Sequence, residues 1–317
     1  MKLIIQIPCY NEEASLPVTL SGLPTTVVGF DKVEWLVIND GSTDDTEKVA
    51  RQFGVHHVVN FSLHKGLAKA FVFGLDRCLL ENADVIVNID ADNQYRGEDI
   101  HKLTQPILDK NADYVIGERP ISQIRHFPLR KKLLQRVGSW IVRLVSGVSV
   151  TDAPSGFRAM SRECALRLNV FNSYTYTLET LIQAGQSNIE VLSVPIGVNP
   201  DLRPSRLVKG TFNYVKRSIN TLVRIFVVYQ PFKFFFSIGL ILFLTGIALG
   251  IRYLYYFFLG DGTGHMQSVV LASIFIGIGF QTILVGFVAD LIAVNRKLLE
   301  DVTNTTIHSN LSNLAQR

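Results

Sequence analysis

The stretch "VNIDADNQY", Val87–Tyr95, ends an apolar run on two aspartates one residue apart, Asp90 and Asp92. If the chain stays extended, side chains i and i+2 share a face, so both carboxylates aim the same way. Two carboxylates at one site repel and tend to recruit a cation. Hard oxygen ligands suit Mg²⁺ or Mn²⁺. Gln94 is the next residue on that side, and its carbonyl oxygen is a further candidate ligand. An ordinary polar turn after a strand has the same local sequence, so the decision rests on the rest of the chain.

From Met1 to about Val198 short apolar runs alternate with longer amphipathic ones. "KLIIQI", "VEWLVI", "ADVIVNI" and "DYVIG" read as strands rich in Ile and Val. Helical patterns lie near Glu13–Leu23, Asp44–Phe53, Gly66–Glu81 and Asp99–Lys110. This alternation predicts an α/β domain over 1–200, a parallel sheet with helices on both faces. Ligands bind beyond the carboxyl ends of the strands in such sheets. Three polar clusters fall there: "PCYNEE" after the first strand, "NDGSTDDT" after the second and "DADNQ" after the third. Asp40, after the second strand, sits where a nucleobase or ribose could be read, with Gly41 and Ser42 favouring a tight turn. Glu12, beside Pro8 and Tyr10, is placed to accept a hydrogen bond from a sugar or base. A cation held on Asp90 and Asp92 could bridge a diphosphate and stabilise its charge as it leaves.

The 317 residues are 48% apolar and 18% charged, a balance that leans towards membrane content. The net charge of +4 is mild, and no nucleic-acid partner is expected. Cys9, Cys78 and Cys164 are far apart and odd in number, which predicts neither a disulfide framework nor a zinc site. "MKLIIQIPCYNEE" meets Pro8 and acidic residues too soon for a signal peptide and reads as a first strand. Phe234–Ile251 carries no charge over 18 residues, roughly 27 Å of helix against a bilayer core of about 30 Å. A second uncharged run spans Val269–Ala289. Two spans, 233–259 and 267–294, are expected, with Gly246, Gly250, Gly277 and Gly279 letting them approach closely. The linker "GDGTGHMQS" has no Lys or Arg, whereas Arg217, Arg224, Lys233, Arg296 and Lys297 crowd the outer flanks. The positive-inside rule then puts the large domain and the tail, 295–317, in the cytoplasm, with a bacterial inner membrane as the expected location. The basic stretch 201–232 carries Phe212, Val215, Ile219, Leu222, Val223 and Phe226 at helical spacing, as an interface helix would. Arg125–Gly147 also mixes basic and apolar residues and reads as an interface helix or an anion-lined groove.

"IPCYNEE", "VINDGSTDDT", "HKGLAKA", "IDADNQ" and "PSGFRAM" occur in the order found in family 2 glycosyltransferases of the GT-A fold, a Rossmann-like, mostly parallel architecture. With two C-terminal spans and an interface segment, the chain resembles the polyprenyl-phosphate glycosyltransferases, the group that includes dolichol-phosphate mannose synthase. The resemblance implies inverting transfer of a hexose from a UDP- or GDP-sugar to undecaprenyl or dolichyl phosphate at the cytoplasmic face. It implies nucleotide contacts at Pro8, Tyr10, Glu12, Asp40, Lys65 and Asp90, and Mg²⁺ or Mn²⁺ on Asp90, Asp92 and Gln94. It places the acceptor phosphate on Arg119 and Lys131, with Arg203 and Arg206 in a basic loop over the phosphates. Lys131 stands where a relative has arginine, and lysine makes no planar bidentate fork. Asp152 and Asp92 fall at positions taken as catalytic. A phosphate monoester has a second pKa near 6, so the lipid phosphate needs little help from a base. Asp152 is therefore read as positioning the acceptor, sharing its last proton, or simply shaping a turn before Pro154. Glu179 is a weaker candidate, and His64 reads as shaping the loop or touching the diphosphate. The Gln-x-x-Arg-Trp motif of processive synthases is absent; "QRVGSW" does not fit it. Another membrane acceptor such as a glycolipid, or an inactive nucleotide-sugar binder, stays open, as does a homo-oligomer.

Overall fold

The computed structural model describes residues 1–120, 139–140, 142–168, 170, 176–200, 220, 223–224, 226–260 and 262–315. Lys131, Arg203 and Arg206, and with them most of the two expected interface segments, lie outside the described residues. The chain divides into two units, Met1–Ser218 with Asn304–Arg317, and Ile219–Thr303.

In the first unit the elements run β1 (Lys2–Cys9), α1 (Leu16–Ser21), β2 (Lys32–Asn39), α2 (Thr46–Gln52), β3 (His57–Asn60), α3 (Leu67–Leu80), β4 (Val85–Asn88), α4 (Ile100–Leu108), β5 (Tyr114–Glu118), β6 (Arg158–Ser161), α5 (Arg162–Arg167), α6 (Thr177–Gln186) and β7 (Val191–Pro195). The strands form one sheet in the order β3-β2-β1-β4-β6-β5-β7. β1 pairs in parallel with β2 on one side and β4 on the other, so Cys9 lies level with Asn39 and Gln6 with Asn88. β1 is buried from Leu3 to Cys9, as a central parallel strand covered on both faces should be. One face carries Leu3, Ile5, Ile7, Val37, Val85, Val87 and Val115, packed with Leu16 and Leu20 of α1 and Ile100, Leu103 and Ile107 of α4. On the other face lies α3, so close that a Cβ on Gly74 would meet Gln6 Oε1 at 2.4 Å and Ile38 Cδ1 at 2.8 Å. Helices thus cover both faces, as the alternating pattern predicts.

One correction follows. β3, short and between half-buried and exposed, precedes "DADNQ", so that cluster ends the fourth strand rather than the third. The sheet is mostly parallel, as the GT-A resemblance implies, with β6 antiparallel to both its neighbours, β4 and β5. At the amino ends of three strands, Glu34 on β2 bonds Lys2 of β1 at 2.7 Å, Lys32 at 2.5 Å and His57 of β3 at 2.8 Å.

The second unit contains α7 (Pro231–Phe258) and most of α8 (Met266–Ala315). Pro231–Phe258 and Thr263–Arg296 are long and apolar enough to cross a membrane. Their large side chains face outward; Ile241 is 65% and Ile292 64% exposed. A Cβ on Gly239 would meet Gly279 O at 2.8 Å, and one on Gly246 would meet Ala272 O at 2.9 Å. The backbones therefore touch at Gly239, Gly246 and Gly279. Gly277 faces open space and Gly250 reaches only Ala272 Cβ at 3.9 Å, so neither serves the close approach expected of it. α8 continues without a break past Val294, where the sequence pattern ends the second span.

Candidate active site

The loops after β1 and β2 are laced together. The backbone N–H of Asn11 donates to Ser42 Oγ at 2.9 Å, that of Thr43 to Asn11 Oδ1 at 2.8 Å, and that of Glu12 to Thr46 Oγ1 at 2.9 Å. Glu12 also accepts from Ser15 Oγ. Asp40 is almost wholly buried, because its carboxylate accepts the backbone N–H of Lys65 at 2.7 Å and of Gly66 at 2.8 Å. His64 Nδ1 lies 2.9 Å from the same carboxylate. Gly41 makes this approach fit. It has φ +68°, and a Cβ there would lie 2.6 Å from His64 N. Asp40 thus clamps the "HKG" loop against β2. The His64 ring stacks on Tyr10, with centroids 3.9 Å apart. Tyr10 is 39% exposed and forms an aromatic platform at the rim. Lys65 lays its ammonium over Phe61, 4.6 Å from the ring centre. Pro8 is buried within β1, level with Ile38.

Two residues past β4 stands Asp90, half-buried, with Asp92 beside it. Burial first, and then the Asp92 carboxylate, push the Asp90 carboxyl up to about 7, against the pull of Arg119 and Arg158. Asp90 presses on Gly156: a Cβ at that glycine would lie 2.4 Å from Oδ2 and 2.8 Å from Oδ1. Behind the pair runs a buried amide chain. Gln6 Nε2 donates to Asn88 Oδ1 at 3.0 Å, and Asn88 Nδ2 donates to Gly156 O at 2.8 Å and to Tyr176 OH at 2.9 Å. Tyr95 closes the turn by accepting the Gly156 N–H at 3.0 Å.

Arg119, just past β5, has two side-chain hydrogen-bond partners among the described residues. Nε donates to Asp152 Oδ2 at 2.7 Å and Nη2 to Asp152 Oδ1 at 2.9 Å, while Nη1 donates to Gln94 Oε1 at 3.1 Å. Asp152 is 0% and Arg119 8% exposed. Such bidentate forks fix a guanidinium in direction as well as in place. Removing one partner of a buried pair leaves an uncompensated charge and costs about 3–5 kcal/mol. Of the residues the sequence singles out, Asp90, Gln94, Arg119 and Asp152 meet in one cluster, and Tyr10, Asp40, His64 and Lys65 in another. Glu179 is buried in the first turn of α6. Sequence reasoning gave no role to Gly156, Tyr95, Asn88 or Arg158, although "PSGFRAM" flagged two of them.

A family model, "Glycosyl transferase family 2", matches residues 4–167, more than half of the chain. The chain belongs to glycosyl transferase family 2. Among curated relatives, this family 2 chain is 29% identical to the undecaprenyl-phosphate mannosyltransferase of Micrococcus luteus, over 66% of this chain and 89% of that one. It is likewise 29% identical to the UDP-N-acetylglucosamine–dolichyl-phosphate N-acetylglucosaminyltransferase of Methanococcus voltae, over 60% and 82%. Its fold matches glucosyl-3-phosphoglycerate synthase of Mycobacterium tuberculosis, solved with Mn²⁺, UDP and glucosyl-3-phosphoglycerate, with TM-score 0.53 and 22% identity over 71% of this chain and 78% of that one.

The family 2 site passes a test of fit for a divalent cation. Two oxygen-donor carboxylates lie together, and their mutual repulsion and burial make the doubly ionised state costly without a counter-charge. A hard dication suits such donors. Gln94 Oε1 already accepts from Arg119 and so links the carboxylate pair to the guanidinium.

Proposed function

We propose that this glycosyltransferase moves a hexose from a nucleotide sugar to the phosphate of a polyprenyl lipid, at the cytoplasmic face of a membrane. The observation that carries the reading is the Arg119 guanidinium, aimed by Asp152 and tied through Gln94 to the turn that bears Asp90 and Asp92. A phosphate-binding cation beside a carboxylate pair suits a reaction whose acceptor and leaving group are both phosphates. The relatives named for transfer to undecaprenyl and dolichyl phosphate support that acceptor class.

In this reading the Tyr10 platform takes the nucleobase, and the loop clamped by Asp40 borders the nucleotide. Asp90 and Asp92 would hold Mg²⁺ or Mn²⁺, which would supply charge stabilisation to the diphosphate. Arg119 holds the acceptor phosphate. An oxygen of that phosphate attacks the anomeric carbon from the side opposite the nucleotide. The bond to the diphosphate oxygen breaks, the electron pair leaves with the diphosphate, and the anomeric configuration inverts. No side chain has to remove a proton, because a phosphate monoester is largely a dianion above pH about 6. Both oxygens of Asp152 accept from Arg119, which ties the carboxylate to the guanidinium. Its part is to aim the guanidinium. Lys131, Arg203 and Arg206 are proposed to add charge around the phosphates. The two apolar helices are proposed to anchor the chain, with the tail on the cytoplasmic side.

The test is a screen of UDP- and GDP-hexoses against polyprenyl phosphate with the full chain in detergent, read as lipid-linked product by mass spectrometry. Glycosyl polyprenyl phosphate from one nucleotide sugar is expected. Product formed on a diacylglycerol-type acceptor and none on polyprenyl phosphate would sink the reading.

A further inference from the structure

Arg158 begins β6 with its side chain 0% exposed. Its guanidinium spends its donors on neutral oxygens. Nε donates to Ser155 O at 2.6 Å and Nη2 to Ala153 O at 2.6 Å. Nη1 donates to Tyr114 OH at 2.6 Å, Thr177 O at 2.8 Å and Thr180 Oγ1 at 2.9 Å. No carboxylate pairs with it among the described residues. A buried cation with no carboxylate in direct contact among the described residues is an expensive brace where apolar packing would serve. What this cation reaches explains the choice. Two of its bonds hold carbonyls of the loop 152–156, and the other three tie that loop to β5 and to the start of α6. At one end of the loop Asp152 grips Arg119. At the other end Gly156 packs on both oxygens of Asp90. The loop is therefore shared by the acceptor-side guanidinium and the carboxylate pair, and no other side chain bonds both Ala153 O and Ser155 O among the described residues.

We infer that Arg158 is a positioning residue which, by fixing the carbonyls of Ala153 and Ser155, sets the places of Arg119 and Asp90 at once. It touches no substrate. Lysine does not replace it, because a point charge on a flexible stem cannot reproduce a planar fork with five donors. The inference rests on the proposed roles of Arg119 and Asp90.

The experiment compares wild type, Arg158→Lys, Asp152→Asn and the double variant as full chains in detergent. Initial rates are measured while polyprenyl phosphate and Mn²⁺ are varied separately, and Mn²⁺ binding is followed in the presence of UDP or GDP by the signal of the free ion. Arg158→Lys is expected to raise both the lipid KM and the Mn²⁺ requirement, with a total loss of about tenfold or more in kcat/KM. Its effect on the lipid KM should be strongly non-additive with that of Asp152→Asn, since both act through one loop. A merely structural role would lower the folded fraction and leave both constants unchanged in what remains folded. That result, or strict additivity, overturns the inference. If Arg158→Lys does not fold, Tyr114→Phe removes one acceptor from the guanidinium and should shift the same two constants by a smaller factor; unchanged constants would refute it. If wild type transfers nothing to polyprenyl phosphate, the functional reading fails separately. The inference is then decided by whether Arg158→Lys weakens Mn²⁺ binding.

Discussion

Asp90 and Asp92 sit in a turn that the surrounding residues leave little freedom. Asp90 has Gly156 against its carboxylate, and the backbone N–H of Gln94 donates to Asp92 Oδ1 at 3.1 Å. Asp92→Asn removes one of the two carboxylates proposed to hold the cation. It is expected to lower transfer by more than about 100-fold with Mg²⁺ or Mn²⁺, the scale of losing a principal electrostatic stabiliser; an unchanged rate would mean that no cation is held there. Arg119→Glu is expected to raise the lipid KM far more than the nucleotide-sugar KM, and equal effects on both would remove Arg119 from the acceptor side. At this scale the sequence is a good guide to which side chains matter and a poor guide to what they touch. The identities of Asp40, Arg119 and Asp152 stand out from motif and resemblance. Their partners do not, because the Asp40 carboxylate is taken up by backbone groups of Lys65 and Gly66, and that of Asp152 by a guanidinium 33 residues away. Pairings of that kind are set by tertiary contact, to which local pattern is blind.

Strands β1, β2, β4 and β5 are legible as apolar runs, and α1 to α4 as amphipathic ones. β6 is not, because its sequence, "RAMS", opens with a charged residue whose burial depends on five oxygens brought in from elsewhere. β3 and β7 are short and only partly buried, so neither shows a clean alternation. Elements also carry a pH dependence. Burial alone would raise the Glu34 carboxyl, but hydrogen bonds from Lys2, Lys32 and His57 outweigh it and bring it down to about 2. A carboxyl depressed on folding contributes stability that is complete above its unfolded pKa, about 4.3, and is lost as pH falls towards the folded value. Thermal unfolding of wild type and Glu34→Gln should therefore differ clearly at pH 7 and converge as pH is lowered towards about 2. A gap that stays constant across that range would show that the ion cluster adds nothing through the charge of Glu34.

At the level of the molecule, the proposed topology makes the turn between α7 and α8 the one region on the far side of the membrane. All three native cysteines are buried in the first unit, so a cysteine placed at Thr263 is a clean reporter. An impermeant maleimide should label it from outside intact cells; labelling only after lysis would invert the orientation. The sheet order has a further consequence for synthesis. Among the described residues β5 pairs only with β6 and β7, and both come later in the chain. From Glu118 to Arg158 is 40 residues, about 2–8 s of translation at roughly 5–20 residues per second. Throughout that interval β5 lacks both of the partners it has among the described residues, and an apolar strand with open edges is the kind of surface that invites aggregation or a chaperone. Ribosome-arrested chains ending short of Arg158 should be cut by protease at β5, whereas chains long enough to release β7 should resist; protection at the shorter length would mean that β5 finds a temporary partner. The antiparallel insertion of β6 therefore keeps β5 from joining the sheet until the chain has delivered Asp152 and Gly156, so the loop that meets Arg119 and Asp90 is made before the strand carrying Arg119 at its end is locked in place.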